Sequence, residues 1–396
     1  MTRCTFLARP PRTRPSSKKP TGSWVDRART LAARIAPFAA DHDRDGTFVH
    51  EAFDLLRLEG FVGAPVPTEF GGGGASHVET GTILTELAKG CPATAVTLSM
   101  HYHLVATQVW RHNHGQPAEA VLRKVGGDHV VLVSTGAADW VDSTGSARKV
   151  DGGFRITARK TPSSGAPAGT ILVTSAPWAD DPDGPSVIHC AVPFSAEGVS
   201  IDPTWDSMGL RGTGSDTVVL DDVFVPDESV SLIRQANEWH PVWNAVLGSA
   251  MPLIMAAYLG IGEAAADIAL GQTRARSNNG SGGVPAHLLP VVGDMINQLT
   301  AAQDLVAAMF AASDDLHFAP TVAHASAILA RKTMAAEALI ATVRAALDVC
   351  GGVGFSRPAG LERLYRDAHG ALYHPLPAAK QQPFTARVTL GLDPLG

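Results

Sequence analysis

The stretch Met208-Gly209-Leu210-Arg211-Gly212-Thr213-Gly214-Ser215 is followed by Val218-Val219-Leu220-Asp221-Asp222-Val223-Phe224-Val225-Pro226. A glycine-rich loop opening onto β-branched runs reads as the last turn of a strand region. Moving N-terminally, further apolar runs lie at His129 to Val133, Phe154 to Thr157, Thr170 to Thr174 and Ser186 to Val192. Turn residues such as Asp151-Gly152-Gly153 separate them. Short strands at this spacing predict a small antiparallel barrel or sandwich.

On both sides of this region the period changes to that of helices. Val25, Leu31, Ala32 and Ile35 recur at helical spacing, and Phe48 to Leu58 repeats the pattern. The segment from Pro65 to Phe70, continuing into Gly71 to Gly74, is a loop, since four successive glycines do not hold a helix. Helical character returns through Leu84 and Leu87, again from Ala93 to Trp110, and in the Ala-rich span from Val242 to Leu347. The expected organisation is α+β and multidomain. It comprises a disordered basic tail at 1–23, a helical domain at 24–127, a β domain at 128–235 and a helical bundle at 236–396.

Composition narrows the function classes. The chain has 396 residues, 45% hydrophobic and 18% charged, enough apolar material for a sizeable core. Its formal charge is −6, which argues against a nucleic-acid partner. Arg3, Arg9, Arg12, Arg14, Lys18 and Lys19 lie in the first 20 residues without an acid, so the remaining chain carries −12. Prolines at 10, 11, 15 and 20 prevent an amphipathic targeting helix there. Cys4, Cys91, Cys190 and Cys350 form no CxxC, so neither structural zinc nor a disulfide framework is expected. No run of about 18 uninterrupted apolar residues is present, so no membrane span is expected. The His101, His103, His112 and His114 group lacks an i, i+4 pair with a further ligand, so no metal is expected. Neither glycine-rich loop fits a P-loop or a Rossmann fingerprint.

Three segments in order carry a resemblance to the acyl-CoA dehydrogenase superfamily, over roughly residues 25 to 395. They are the Pro65 to Gly74 loop, the Met208 to Pro226 stretch, and Gly351-Gly352-Val353-Gly354-Phe355 running into Glu362-Arg363-Leu364-Tyr365-Arg366-Asp367. The resemblance implies a C-terminal four-helix bundle and a flavin, FAD or FMN. It also implies a cytoplasmic homodimer or homotetramer acting on a small-molecule substrate.

In cofactor binding, the resemblance implies Gly351, Gly352 and Gly354 near the flavin dinucleotide, with Arg276 reaching the pyrophosphate of a neighbouring subunit's flavin. An aromatic usual in that stretch is replaced by Asn279. Ser134 and Thr135, with Ser163 and Ser164, match the flavin-facing β segment, and Ser164 is placed to hydrogen-bond the flavin near its reactive nitrogen. A serine in a loop is also an ordinary turn residue. Arg211 in its glycine-flanked loop suits an anion or carboxylate of the substrate; a surface ion pair is the plainer reading. Five tryptophans, at 110, 140, 205, 239 and 243, either line a pocket or fill cores, and core filling is the default for large apolar rings.

The most informative feature is an absence. Acyl-CoA dehydrogenases use a glutamate to take the substrate α-proton. One family position for it reads Ala371-Leu372-Tyr373-His374-Pro375 here, and the other falls near Ala250. Glu263 does not align with either. The His374 stretch instead resembles reduced-flavin monooxygenases of the dibenzothiophene monooxygenase type, which pair such a histidine with another on an N-terminal helix. Ser99-Met100-His101-Tyr102-His103-Leu104 supplies that second region, and His103 is the better match. An imidazole pair beside a flavin can hydrogen-bond activated oxygen and move a proton near neutral pH.

His374, His103 and Ser164 are therefore the expected catalytic residues, with His101, Arg211 and Tyr373 on the substrate. The reading leans to a two-component monooxygenase fed by a separate flavin reductase. The alternatives are an acyl-CoA dehydrogenase with His374 as its base, and a non-catalytic flavin-binding homologue.

Overall fold

The computed structural model describes residues 22–135, 141, 143–278 and 284–396. The basic residues of the expected tail, together with Cys4, Trp140 and Asn279, lie outside the described residues.

Among the described residues five α-helices come first: α1 (Trp24–Asp45), α2 (His50–Leu58), α3 (His77–Gly90), α4 (Pro92–Asn113) and α5 (Glu119–Asp128). Local sequence sets their ends. The Ser23 side chain accepts the Asp26 backbone N–H at the start of α1, and Gly46 closes it in the left-handed region. Ser76 and Glu79 form a reciprocal capping box on α3, and Pro92 occupies the first turn of α4. The glycine run between α2 and α3 exists for close packing. A Cβ at Gly72 would lie 2.1 Å from the Val66 carbonyl oxygen.

Among the described residues eight strands follow: β1 (Leu132–Ser134), β2 (Ser146–Val150), β3 (Gly153–Lys160), β4 (Ile171–Trp178), β5 (Ser186–Pro193), β6 (Val199–Asp202), β7 (Thr217–Pro226) and β8 (Val230–Gln235). They form two four-stranded sheets, ordered β1-β4-β5-β8 and β2-β3-β7-β6. Val133, Leu172, Ile188 and Val192 of the first sheet share a core with Phe154, Ile156, Val218 and Leu220 of the second. The arrangement is thus a sandwich. The expected all-antiparallel pairing is corrected at one place, since β1 runs parallel to β4. After β1 the chain crosses to the other sheet, makes β2 and β3, and returns, which supplies the long crossover a parallel pair requires. The two runs at 217–220 and 223–225 are one strand, β7, whose pairing with β3 shifts register between Ile156 and Ala158.

The C-terminal helices are α6 (Val242–Asn278), α7 (Leu289–Ser313), α8 (Val322–Cys350), α9 (Gly352–Phe355), α10 (Leu361–Ala368) and α11 (Ala378–Thr389). Only α6, α7 and α8 are long; the fourth helix packed on α8 is the 12-residue α11. Helix α6 touches α3, α4, α7 and α8, which explains its apolar character all round. By length and composition it passes for a membrane span, but 94% of its apolar window is buried inside the protein, as in a core helix. The Thr85 hydroxyl donates to the Ala256 carbonyl at 2.9 Å, tying α3 to α6 within one core shared by both helical regions.

Candidate active site

A cavity of about 890 Å³ lies between the first sheet, α4, α6 and the segment after α10. Its two walls differ because they are built from elements of different period.

The strand-side wall carries hydroxyls. Ser134 and Thr135 stand at the end of β1, Thr174 on β4, Ser164 after β3, and Thr213 and Ser215 before β7. The Ser164 and Ser215 hydroxyls are 2.8 Å apart, Ser215 and Thr213 are 2.7 Å apart, and Thr213 donates to the Leu210 carbonyl at 2.9 Å. This relay fixes where the Ser164 oxygen sits.

The helix-side wall follows helical spacing. Met100, His103, Leu104 and Thr107 share one face of α4, and Ala250, Ile254 and Tyr258 recur every four residues on α6. Tyr373 and His374 come from the segment after α10 and complete it. The His374 Nε2 lies 2.8 Å from the Tyr258 hydroxyl. Burial holds the His374 imidazole down to about 3, with the Lys332 charge acting in the same direction. Burial likewise holds His103 at about 4. Its Nδ1 faces the Ser99 carbonyl at 3.3 Å, so its Nε2 edge is presented to the cavity. Both imidazoles are neutral at pH 7, so each offers one donor and one acceptor nitrogen.

Lys332 supports this arrangement from below. Its side chain is 1% exposed, and its ammonium donates to the His374 carbonyl at 2.9 Å and the Leu376 carbonyl at 3.4 Å. Burial lowers it to about 8.

Six of the residues singled out by sequence share the cavity wall: His103, Ser134, Thr135, Ser164, Tyr373 and His374. Ser163 is fully buried behind it, donating to the Lys160 carbonyl at 2.9 Å. Arg211 is held by the Asp43 carbonyl at 2.7 Å and by Asp206 at 2.9 Å, away from the cavity. Arg276 and the glycines gather at another place. Its guanidinium donates to the Val349 and Cys350 carbonyls, directly before Gly351. Gly351 has φ +60°, ψ −144°, a conformation reserved for glycine, and Gly352 beside it is exposed. Gly354 is buried against Cys350 and Leu361.

His101 is turned away from the cavity. Its Nε2 faces the Val62 carbonyl and its Nδ1 accepts the Leu132 N–H, each at 3.0 Å, so it joins α4 to β1. His101→Ala strands both backbone groups. The expected cost is about 1–3 kcal/mol each in a denaturant melt, with flavin affinity little changed. An unchanged midpoint would remove this joining role.

Trp110, Trp205 and Trp243 line the cavity, Trp110 also belonging to the helical core, while Trp239 packs on Phe384 at 4.7 Å. Sequence reading missed Tyr258, Lys332, Thr213 and Ser215. The four-residue spacing from Ala250 was the available signal for Tyr258. Among the described residues of the wall there is no Asp or Glu. Glu263 pairs with Lys89 at 2.8 Å, off the wall. Ala250, and Tyr373 with His374 from the 371–375 stretch, line the cavity at the two regions where the resemblance implies a base.

This fold and wall define a class, the flavin-dependent oxidoreductases built on paired helical regions around a β sandwich. The chain matches the acyl-CoA dehydrogenase N-terminal domain over residues 24–125 and the acyl-CoA dehydrogenase C-terminal domain over 253–376, and it belongs to that family. It is 30% identical over 393 residues to the L-evernosamine nitrososynthase of a Micromonospora species, covering 93% of this chain and 90% of the relative. It is 29% identical over 370 residues to the amino sugar nitrososynthase DnmZ of Streptomyces peucetius, covering 89% of each. The solved structure of KijD3 in complex with FMN and dTDP-3-amino-2,3,6-trideoxy-4-keto-3-methyl-D-glucose superposes with a TM-score of 0.84 at 26% identity, over 93% of both chains.

Proposed function

We propose that this protein is a reduced-flavin monooxygenase that oxidises an amino group on a nucleotide-linked sugar. The observation that carries the reading is the wall itself. Its described residues hold five histidines, among them the neutral His103 and His374, and no carboxylate, so the glutamate that acyl thioester oxidation uses has no counterpart there. The nitrososynthase relatives support the same direction and suggest the substrate class.

The cavity fits a flavin. A hydroxyl-lined wall faces a helical wall that sets Met100, Leu104, Ala250 and Ile254 among its polar groups, matching a flat ring system with one polar edge. Ser164, Ser134 and Thr135 would hold that edge. FMN, the ligand of the KijD3 complex, is the proposed cofactor, with FAD the alternative. The reduced cofactor supplies electrons to dioxygen when bound, and a flavin reductase is the proposed partner that delivers it. His374, braced by Tyr258, donates a hydrogen bond toward the reacting oxygen and passes a proton. His103 faces the cavity from α4 and orients the acceptor. The Trp205 and Trp243 rings exclude water.

Exposed Phe355 and Val353 beside Gly351 and Gly352 support a second copy covering that corner, in a homodimer or homotetramer. The buried free thiols of Cys91, Cys190 and Cys350 support a cytoplasmic setting.

The test supplies FMN, a reductase, NADH and ¹⁸O₂, with the amino sugar nucleotide of the KijD3 complex as probe. The expected product carries ¹⁸O on nitrogen. Product without the label, or oxidation of butyryl-CoA under the same conditions, would overturn the reading.

A further inference from the structure

We propose that Arg111, with Gln108 and Gln116, forms an anion subsite at one end of the cavity that takes the phosphate of a bound ligand. The subsite rests on the flavin-and-nucleotide reading above, and its test is independent of turnover.

Arg111 lies in the last turn of α4 and lines the cavity. It is half-buried, and its Nε is buried with no hydrogen-bond partner. No described carboxylate pairs with it. Glu119 is engaged by Arg123 at 3.7 Å, and Glu69 faces His112 at 3.9 Å. The negative end of α4 compensates part of the charge but fills none of the five guanidinium donors. A half-buried cation on an acid-free wall is stabilised only when an anion arrives.

The flanking side chains are donors of the same kind. Gln108 stands three residues earlier on the same helical face, and the Gln116 backbone N–H bonds the Arg111 carbonyl at 2.8 Å, bringing it alongside. Both carry amide N–H groups without a described hydrogen-bond partner. A planar guanidinium flanked by two amides suits a phosphate, which accepts several donors at once. The phosphate can belong to the cofactor or to a nucleotide-linked substrate.

Two paired affinities separate those sources. FMN against riboflavin isolates the cofactor's phosphate, and thymidine diphosphate against thymidine isolates the substrate's. In the wild-type protein at least one phosphorylated probe binds more tightly than its partner. Arg111→Gln is expected to narrow that gap about tenfold or more, while the unphosphorylated probe binds as before. Arg111→Lys keeps the charge but loses the fork and is expected to fall between. Narrowing of the FMN gap assigns the subsite to the cofactor, and narrowing of the thymidine diphosphate gap assigns it to the substrate. A wild-type protein with no gap for either pair, or gaps that persist in a folded Arg111→Gln variant, would overturn the proposal.

Discussion

His374→Ala is expected to lower turnover by about a hundred- to ten-thousand-fold, with flavin affinity retained. The imidazole sits on the cavity wall with Nε2 at 2.8 Å from the Tyr258 hydroxyl, so its removal deletes the group placed to pass a proton. The backbone that positions it is held separately, through the His374 and Leu376 carbonyls on Lys332. The flavin contacts proposed above belong to the opposite wall, at Ser134, Thr135 and Ser164. Turnover should therefore collapse without loss of the bound cofactor, measured as product rate and as flavin retained on gel filtration. A variant that turns over normally would remove His374 from the chemistry.

Lys332→Met is expected to act on both activity and stability. Loss of its two carbonyl contacts frees the His374 segment, and a displacement of about 1 Å at a reacting group costs roughly a hundredfold in rate. The stability effect depends on pH. Burial lowers the folded lysine from the usual 10.5 to about 8. Between those values the unfolded chain still holds the proton that the folded state has released. Wild-type stability therefore rises relative to the methionine variant as pH climbs from 8 to 10.5, by on the order of 3 kcal/mol over the window. Below pH 8 the folded lysine is charged and its desolvation cost is fully present. Urea midpoints for the two proteins across this range check the sign. A difference independent of pH would mean that Lys332 only fills space.

The sequence exposed those parts of the fold whose signals are local. The β7 run reads as a strand because β-branched residues follow a glycine loop. By contrast β2 (Ser146–Val150), with its pattern Ser-Ala-Arg-Lys-Val, is mostly solvent-facing and carries no apolar alternation. The four residues of β6 are similarly exposed. The parallel partnership of β1 with β4 was invisible, because it is set by a crossover through the other sheet.

The site divides along the same line. His374 stood out in a stretch where acyl-CoA dehydrogenases carry a glutamate, and His103 as the match to the second histidine of the monooxygenase type. Lys332 sits between Arg331 and Thr333 and reads as an ordinary polar helix position; only the packing of α8 against the His374 segment reveals it as buried. His101 and His103 are two apart on one helix, and the structure sends them to different duties, one joining backbone and one facing the cavity. Arg276 and the glycines at 351, 352 and 354 were read as part of one cofactor site. They gather together off the cavity wall, where a second copy is proposed to cover them.

The most direct measurement mixes the protein, loaded with photoreduced FMN, with dioxygen and follows hydrogen peroxide release. An acid-free wall carrying neutral His103 and His374 is expected to hold the oxygen back, so that peroxide appears at least about tenfold more slowly than from free reduced FMN. Release at the rate of free flavin, together with bleaching of the oxidised protein by butyryl-CoA without oxygen, would contradict the oxygen chemistry assigned to this cavity.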